Sequence, residues 1–322
     1  MQSAPGMPPT TVTTTDRPLQ IVVGGASGLV GGRLIPHLRS KGHSVRTLVR
    51  RQPRSSDEIQ WDPARGELDA RAFEGVDAVI NLGGVSIAGG RWTPARKEAI
   101  RSSRVAATSL LARTIAALDR KPETFVSMSA VGLYGDSGEL PLTEGAPSGA
   151  GFLADVCREW EAAAAPAQEA GVRVVHPRLG VVMAGEGGML PLVARVFKLG
   201  IGGPLGKGTQ YFPWIALDDL VAMLETALVD TRLSGPVNAV APEETTNAMF
   251  TKALAQAVHR PAFFRAPASV VKLAGGELAE TLILASQRVI PDRLGQIGFS
   301  FKYPTIDRAL SAEMTRSNRN QG

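Results

Sequence analysis

LQIVVGGASGLVGGRLIPHLRSKGH, residues 19–43, decides how the rest of the chain is read. Its first part, Leu19–Val23, is a short apolar run that ends in glycines, the pattern of a buried strand. Its later part places Leu29, Val30, Leu34 and Leu38 at helical spacing and stops at Lys41-Gly42, an ordinary helix end. Pro36 falls inside that helix, where it removes a hydrogen bond or bends the axis. Between strand and helix lies Gly25-Ala26-Ser27-Gly28-Leu29-Val30-Gly31. A glycine-spaced turn in that position is the context a dinucleotide-binding turn needs. Gly25 permits the tight turn, Gly28 lets backbone approach a pyrophosphate, and Gly31 lets helix and sheet pack closely. The helix N-terminus then offers free N–H groups and partial positive charge to phosphates.

The next strand, Ser44–Val49, ends in Arg50-Arg51. An NAD-binding fold usually carries Asp or Glu there, bonded to the ribose 2′-hydroxyl. A carboxylate would repel a 2′-phosphate, whereas a guanidinium grips one. Arg50 therefore points to NADP over NAD.

Farther along, strands are expected at Val76–Leu82, Phe125–Ser129 and Val172–Val175, with helices over Pro94–Leu118 and Ala154–Glu169. This alternation predicts an α/β, Rossmann-like, doubly wound parallel sheet covered by helices on both faces. After Val182 the pattern loosens into the glycine-rich loops GEGGMLPLV and LGIGGPLGKGTQ, read as the surroundings of a substrate cleft. Helices are expected at Leu217–Leu228, Met249–Val258 and Val270–Leu284, with a strand at Pro236–Val240. No polar linker separates two independent domains. The expected organisation is a disordered tail over 1–17, an NADP-binding domain over 18–182 to which about 211–241 returns, and an interleaved substrate lobe and C-terminal domain within 183–322.

Composition narrows the classes. The 322 residues are 44% hydrophobic and 20% charged, enough to bury a core. One cysteine excludes a disulfide framework within the chain, and His37, His43, His176 and His259 have no neighbours at metal-ligand spacing. The net charge of +5 is spread and forms no focused patch, so no nucleic-acid partner is expected. No apolar stretch approaches the length of a membrane span, and the Thr- and Pro-rich N-terminus lacks the apolar core of a secretory signal. The expectation is a cytoplasmic protein, monomer or homodimer, with a small-molecule substrate.

GGASGLVGGRLIPHL, LVRR, DAVINLGG and SAVGLYGD together resemble the extended short-chain dehydrogenase/reductase superfamily. GGRWTPARKEAIRSSR, GFLADVCREWE, PRLGVVMAGEGGML, GGPLGKGTQYFPWIALDDL and VIPDRLGQIGFSF are similar to the bacterial epimerase-family proteins. Those proteins look like nucleoside-diphosphate-sugar epimerases with a small C-terminal domain of unknown function. The resemblance implies that Gly25, Ala26, Ser27, Gly28, Leu29, Val30 and Gly31 hold the pyrophosphate and Arg50 the 2′-phosphate. It places Leu82 and Gly83 along the adenine-ribose side and Val182 at the nicotinamide end, and it matches Arg104, in RSSR, to an arginine that contacts the cofactor.

The superfamily's proton-transfer set, a Ser or Thr followed by Tyr-x-x-x-Lys on a helix, is where this chain departs. Its three tyrosines, Tyr134, Tyr211 and Tyr303, are followed four residues later by Gly138, Ile215 and Asp307. No lysine lies between Lys121 and Lys198. In GFLADVCREW, Phe152 or Leu153 takes the tyrosine place and Val156 or Cys157 the lysine place. The remaining candidates are Ser129, with Ala130 as the alternative alignment, to hydrogen-bond a substrate, and Tyr134 as a proton donor at the expected cleft edge. Cys157 reads as a small buried residue, and Asp218 or Asp219 matches the carboxylate that caps the following helix in extended members of the superfamily. The resulting expectation is an NADP(H)-dependent oxidoreductase or epimerase acting on a nucleotide sugar or another hydroxyl or carbonyl compound. The alternative is an NADP(H)-binding redox sensor or scaffold without turnover.

Overall fold

A computed structural model describes residues 17–319. The tail expected over 1–17 lies outside the described residues except for Arg17, whose guanidinium meets Asp77 Oδ1 at 2.8 Å. The strands are β1 (Gln20–Gly24), β2 (Ser44–Val49), β3 (Glu58–Asp62), β4 (Glu67–Leu68), β5 (Ala78–Asn81), β6 (Thr124–Ser127), β7 (Ser129–Ala130), β8 (Pro141–Leu142), β9 (Arg173–Leu179), β10 (Val181–Met183), β11 (Trp214–Ala216), β12 (Gly235–Ala239) and β13 (Arg288–Val289). The helices are α1 (Leu29–Ser40), α2 (Pro94–Ala117), α3 (Phe152–Ala162), α4 (Ala165–Glu169), α5 (Leu190–Lys198), α6 (Leu217–Val229), α7 (Asn247–Ala257), α8 (Ala268–Ala279), α9 (Asp292–Gln296) and α10 (Ile306–Arg319).

The main sheet runs β12-β9-β6-β5-β1-β2-β3-β4, parallel except for β4, which is antiparallel to β3. The chain leaves β1 toward β2 and β3, then returns to β5 on the other side of β1. That reversal opens a crevice at the carboxyl ends of β1 and β5, where open α/β sheets bind ligands. This is the doubly wound Rossmann arrangement expected from the alternation of strands and helices.

Residues alternate between the two faces of the strands. Ile21, Val23, Ile80 and Val126 join Leu34, Leu38, Leu220 and Leu224 in the core under α1 and α6. Val22, Val79 and Phe125 join Leu111, Ile115 and Ala167 under α2 and α4. A third core, with Phe197, Trp214, Leu254 and Leu310, joins α5, α7 and α10.

Several elements differ from expectation for local reasons. The helix expected over Ala154–Glu169 breaks at Ala163–Ala164, just before Pro166, whose missing N–H suits the first turn of a new helix. The helix expected over Val270–Leu284 is α8 followed by a π turn at Glu280–Leu284. Neither Asp218 nor Asp219 caps α6, whose N-cap is Ala216. Asp218 instead pairs with Arg316 at 2.6 Å, and Asp219 accepts the backbone N–H groups of Lys302 and Tyr303 at 2.6 and 3.0 Å. These carboxylates tie α6 to the C-terminal segment.

Candidate dinucleotide site and the closed network beside it

Gly25 follows β1 with φ +80°, a left-handed backbone that only glycine adopts without strain. A Cβ there would lie 2.8 Å from Gly83 N. At Gly31 a Cβ would lie 2.6 Å from Gly25 O, so the first turn of α1 rests directly on the loop. Gly28 is the N-cap of α1 and has no side chain to give to the first turn, which also holds no acidic residue. The N–H groups of Leu29, Val30 and Gly31 thus have no intrahelical acceptor, while Gly32 is the first to bond back, to Gly28 O at 2.8 Å. This is a bare backbone cradle at the crevice, and it fits a pyrophosphate. Leu82 and Gly83 form its other wall; Leu82 N donates to Gly24 O at 2.9 Å, and Gly83 N to Asn81 Oδ1 at 3.1 Å.

At the end of β2 the two arginines separate. Arg51 is committed to Glu58, with Nη2 2.5 Å from Oε1, whereas Arg50 is exposed and has no carboxylate partner among the described residues. Val182 lies in β10, paired with Ile215 of β11, and packs partly buried against the main core.

A glycine strap between β10 and α5 crosses this site. Gly185 N donates to Glu313 Oε2 of α10 at 2.8 Å, and Arg33 Nη2 meets Glu186 Oε2 at 3.2 Å. A Cβ on Gly187 would touch Leu29 Cδ1 at 3.1 Å. Glu313 is 2% exposed, and burial pushes its carboxyl up.

The residues expected to handle protons lie elsewhere than a cleft edge. Ser129 and Tyr134 are each 1% exposed. Ser129 Oγ donates to Glu161 Oε1 at 2.6 Å. Arg178 closes on the same carboxylate in a fork, Nε to Oε1 at 2.9 Å and Nη2 to Oε2 at 3.0 Å. Burial works against ionisation of Glu161, but hydrogen bonds from Arg178 and Ser129 outweigh it and hold the carboxyl below its usual range. Arg178 Nη1 donates to the Tyr134 oxygen at 2.9 Å, and that hydroxyl donates to Asn238 Oδ1 at 2.7 Å. Asn238 returns its amide N–H groups to the carbonyls of Leu142 and Ile290. Burial pushes the phenol up, away from the neutral range. Tyr134 is thus a buried linker between β9, β12 and the loop after β7.

Glu161 and Arg178 were missed in the sequence. The available signals were a glutamate on the buried side of an amphipathic helix and an arginine inside an otherwise buried strand, each of which demands a partner. Phe152 opens α3 and packs edge-on against Trp92, ring centroids 5.1 Å apart. Leu153 is buried. Cys157 is buried as expected, and burial, with Glu161 adding, pushes its thiol up to about 12.

Residues 21–240 match the model of the NAD dependent epimerase/dehydratase family. The chain belongs to this family. Residues 266–313 match a second model, a domain of unknown function that spans α8, α9 and the start of α10. An epimerase family protein of Mycobacterium tuberculosis is 43% identical over 296 residues, which is 92% of this chain and 98% of the relative. The structure of the human epimerase family protein SDR39U1 with NADPH superposes at a TM-score of 0.84 with 33% identity, covering 92% of this chain and 99% of that one. The nucleoside-diphosphate sugar epimerase from Corynebacterium glutamicum superposes at 0.78 with 40% identity; the match takes in 94% of this chain but 59% of that longer one. Among the described residues no helix is long and apolar enough to cross a membrane, and no group of His, Cys, Asp and Glu could hold a metal ion.

Proposed function

We propose that this family member binds NADP(H) at the Gly25–Gly31 turn and acts as an oxidoreductase or epimerase of extended short-chain type on a hydroxyl or carbonyl compound. The observation that carries the reading is the bare cradle: unpartnered N–H groups on α1, glycines packed too closely for any side chain, and an uncommitted Arg50 at the end of β2. The human relative crystallised with NADPH supports NADP(H), and the Corynebacterium protein makes a nucleotide sugar the first substrate class to test. A bound nicotinamide ring would supply or accept hydride. The α1 N-terminus and Gly28 hold the pyrophosphate, Arg50 the 2′-phosphate, Leu82 and Gly83 the ribose side, and Val182 the nicotinamide end. Glu161, Arg178 and Tyr134 fix α3, β9 and β12 around the cleft and leave proton exchange with the substrate oxygen to water.

A second reading, an NADP(H)-binding sensor or scaffold without turnover, is favoured by one observation. Ser129 and Tyr134 already spend their hydroxyls on buried partners.

Fluorescence titration tests the binding step. Native protein is expected to prefer NADPH over NADH by at least about tenfold, or ~1.4 kcal/mol. Arg50→Asp is expected to abolish that preference. Equal affinity for the two would overturn the NADP(H) assignment, and binding of neither would overturn the site. Oxidation or reduction of bound cofactor across a panel of sugar nucleotides and carbonyl compounds then separates the enzyme from the sensor.

A further inference from the structure

α5 is apolar on two sides. Leu190, Ala194 and Phe197 turn into the third core, with Phe250 and Leu254 of α7. Leu192, Val196 and Leu199 fall on the opposite stripe and face solvent, Leu199 being 75% exposed. A helix that is apolar all round is ordinarily buried all round. The chain beyond α5 adds the exposed Ile201, and the segment after α7 adds Phe264 and Phe263, the latter 83% exposed. The two segments lie side by side. Arg260 Nε donates to Lys198 O at 3.3 Å, Ala266 N to Pro204 O at 3.1 Å and Gly206 N to Ala266 O at 2.9 Å. The Phe264 backbone leaves no room for a Cβ on Gly203.

The same face is basic. Residues 187–217 and 245–276 contain no Asp or Glu, although the chain has 30. Arg195, Lys198, Lys207, Lys252, Arg260 and Arg265 are exposed there and meet no carboxylate among the described residues. Charge that is dispersed along the sequence is gathered by the fold around apolar side chains. Lys252, His259 and Arg260 also line an open groove of about 650 Å³ on α7.

A second copy of the chain would set these cations against their own equivalents, and like charges across an interface repel. Nucleic acid would leave the aliphatic stripe without a contact. A protein-binding groove holds its apolar residues on the floor, whereas these side chains project outward. An anionic bilayer surface uses both features: Leu and Phe enter the boundary between headgroups and acyl chains, while Lys and Arg stay with the lipid phosphates.

We propose that this face docks the protein on an anionic lipid surface, with Leu192, Val196, Leu199, Ile201, Phe263 and Phe264 inserted and the basic side chains on the headgroups. The protein would lie on the membrane without spanning it, as no helix among the described residues is long and apolar enough to cross. Docking needs nothing from the dinucleotide turn.

The test is sedimentation of the full-length protein with vesicles at low ionic strength. Vesicles of phosphatidylcholine and phosphatidylglycerol in equal parts are expected to bind it at least tenfold more tightly than vesicles of phosphatidylcholine alone, and added salt to weaken the binding. Phe263→Ser combined with Phe264→Ser is expected to lose at least tenfold in affinity at an unchanged melting temperature, and Arg195→Glu combined with Lys198→Glu to do the same. Failure of the native protein to bind the anionic vesicles would overturn the proposal and leave the face to a protein partner. Equal binding to both kinds of vesicle would overturn the role of the cations, and native binding in both double variants would place the contact elsewhere. A native dimer that the Phe263→Ser, Phe264→Ser variant turns into a monomer would assign the face to a second copy instead. If the phenylalanine variant does not fold, the charge variant decides: native affinity in it overturns the docking face.

Discussion

The Gly25–Gly31 turn and the Ser129–Glu161–Arg178–Tyr134 cluster lie along the carboxyl edge of one sheet, and they leave opposite amounts of hydrogen-bonding capacity unused. At the turn, three backbone N–H groups of α1 and the Arg50 guanidinium have no hydrogen-bond or carboxylate partner among the described residues. In the cluster, Ser129, Glu161, Arg178, Tyr134 and Asn238 satisfy one another at 2.6–3.0 Å. Residues with the chemistry of catalysis occupy the second region, whereas the unspent donors lie in the first. A reactive side chain that is buried and fully paired rigidifies a fold, whereas unspent donors beside a crevice are free to take a ligand.

That contrast can be broken most forcefully at Glu161. Glu161→Ala leaves the Arg178 charge buried without its partner, and such a loss costs about 3–5 kcal/mol. Denaturant melts should show that loss, while any variant that remains folded should bind NADPH with native affinity. A small stability change would mean that the cluster is not the closed unit described.

Gly28→Val attacks the other region. A Cβ there stands 3.3 Å from Gly25 O, so the loop gives way by a few tenths of an ångström, and circular dichroism should show a retained fold. The branched side chain blocks the pyrophosphate approach, and NADPH affinity should fall by ~100-fold or more, about 2.7 kcal/mol. Native affinity in a folded Gly28→Val protein would remove the cradle from consideration.

Tyr134→Phe sharpens the comparison. As a proton donor, Tyr134 would lower kcat by ~10²–10⁴ when removed. As a buried linker, it should cost about 1–3 kcal/mol of stability by stranding Asn238 Oδ1, with kcat on any active substrate nearly unchanged. A collapse of kcat in a protein of native stability would restore the catalytic role.

The gentlest probe is pH. His176 is buried behind the cluster, its Nδ1 3.2 Å from Ser127 O, and burial lowers its pKa below the ordinary histidine value. Below about pH 6.5 the unfolded chain takes up a proton that the folded chain refuses, so stability present above that pH is lost as pH falls, by up to ~1.4 kcal/mol per pH unit. The melting temperature should drop between pH 7 and 5, and His176→Gln should flatten that slope. An equally steep slope in His176→Gln would assign the effect to another group.

Local pattern made the first region legible. Strand, glycines and helix are consecutive, and the glycine spacing itself encodes the close approach of Gly31 to Gly25. Which arginine at the end of β2 stays free was not legible, because Glu58, which claims Arg51, belongs to β3, a short charged strand whose only burial signal is Ile59 and Trp61. The second region joins residues from β7, α3, β9 and β12, so no window of sequence contains it. Tyr134 reads as a cleft-edge residue from sequence because it lies in the loop that follows the Ser129 strand. The loop folds inward there, and Arg178 and Asn238, distant in sequence, draw the phenol into the interior. The acidic pair at the start of α6 misled for a similar reason: a carboxylate in a first turn looks like a cap until its partners, Arg316 and Lys302, arrive from the far end of the chain.

The strap held by Glu313 gives the last helix a stake in the first. Gly185 hangs from α10 and Gly187 touches Leu29, so the opening turn of α1 and the C-terminal domain share one mechanical linkage. Linkage is reciprocal. If a dinucleotide occupies the turn, trimming the chain before Glu313 is expected to shorten its residence time, because it removes the acceptor from which the strap hangs. The segment that matches the domain of unknown function thereby reaches back to the glycine turn, however far its residues stand from those glycines in the chain.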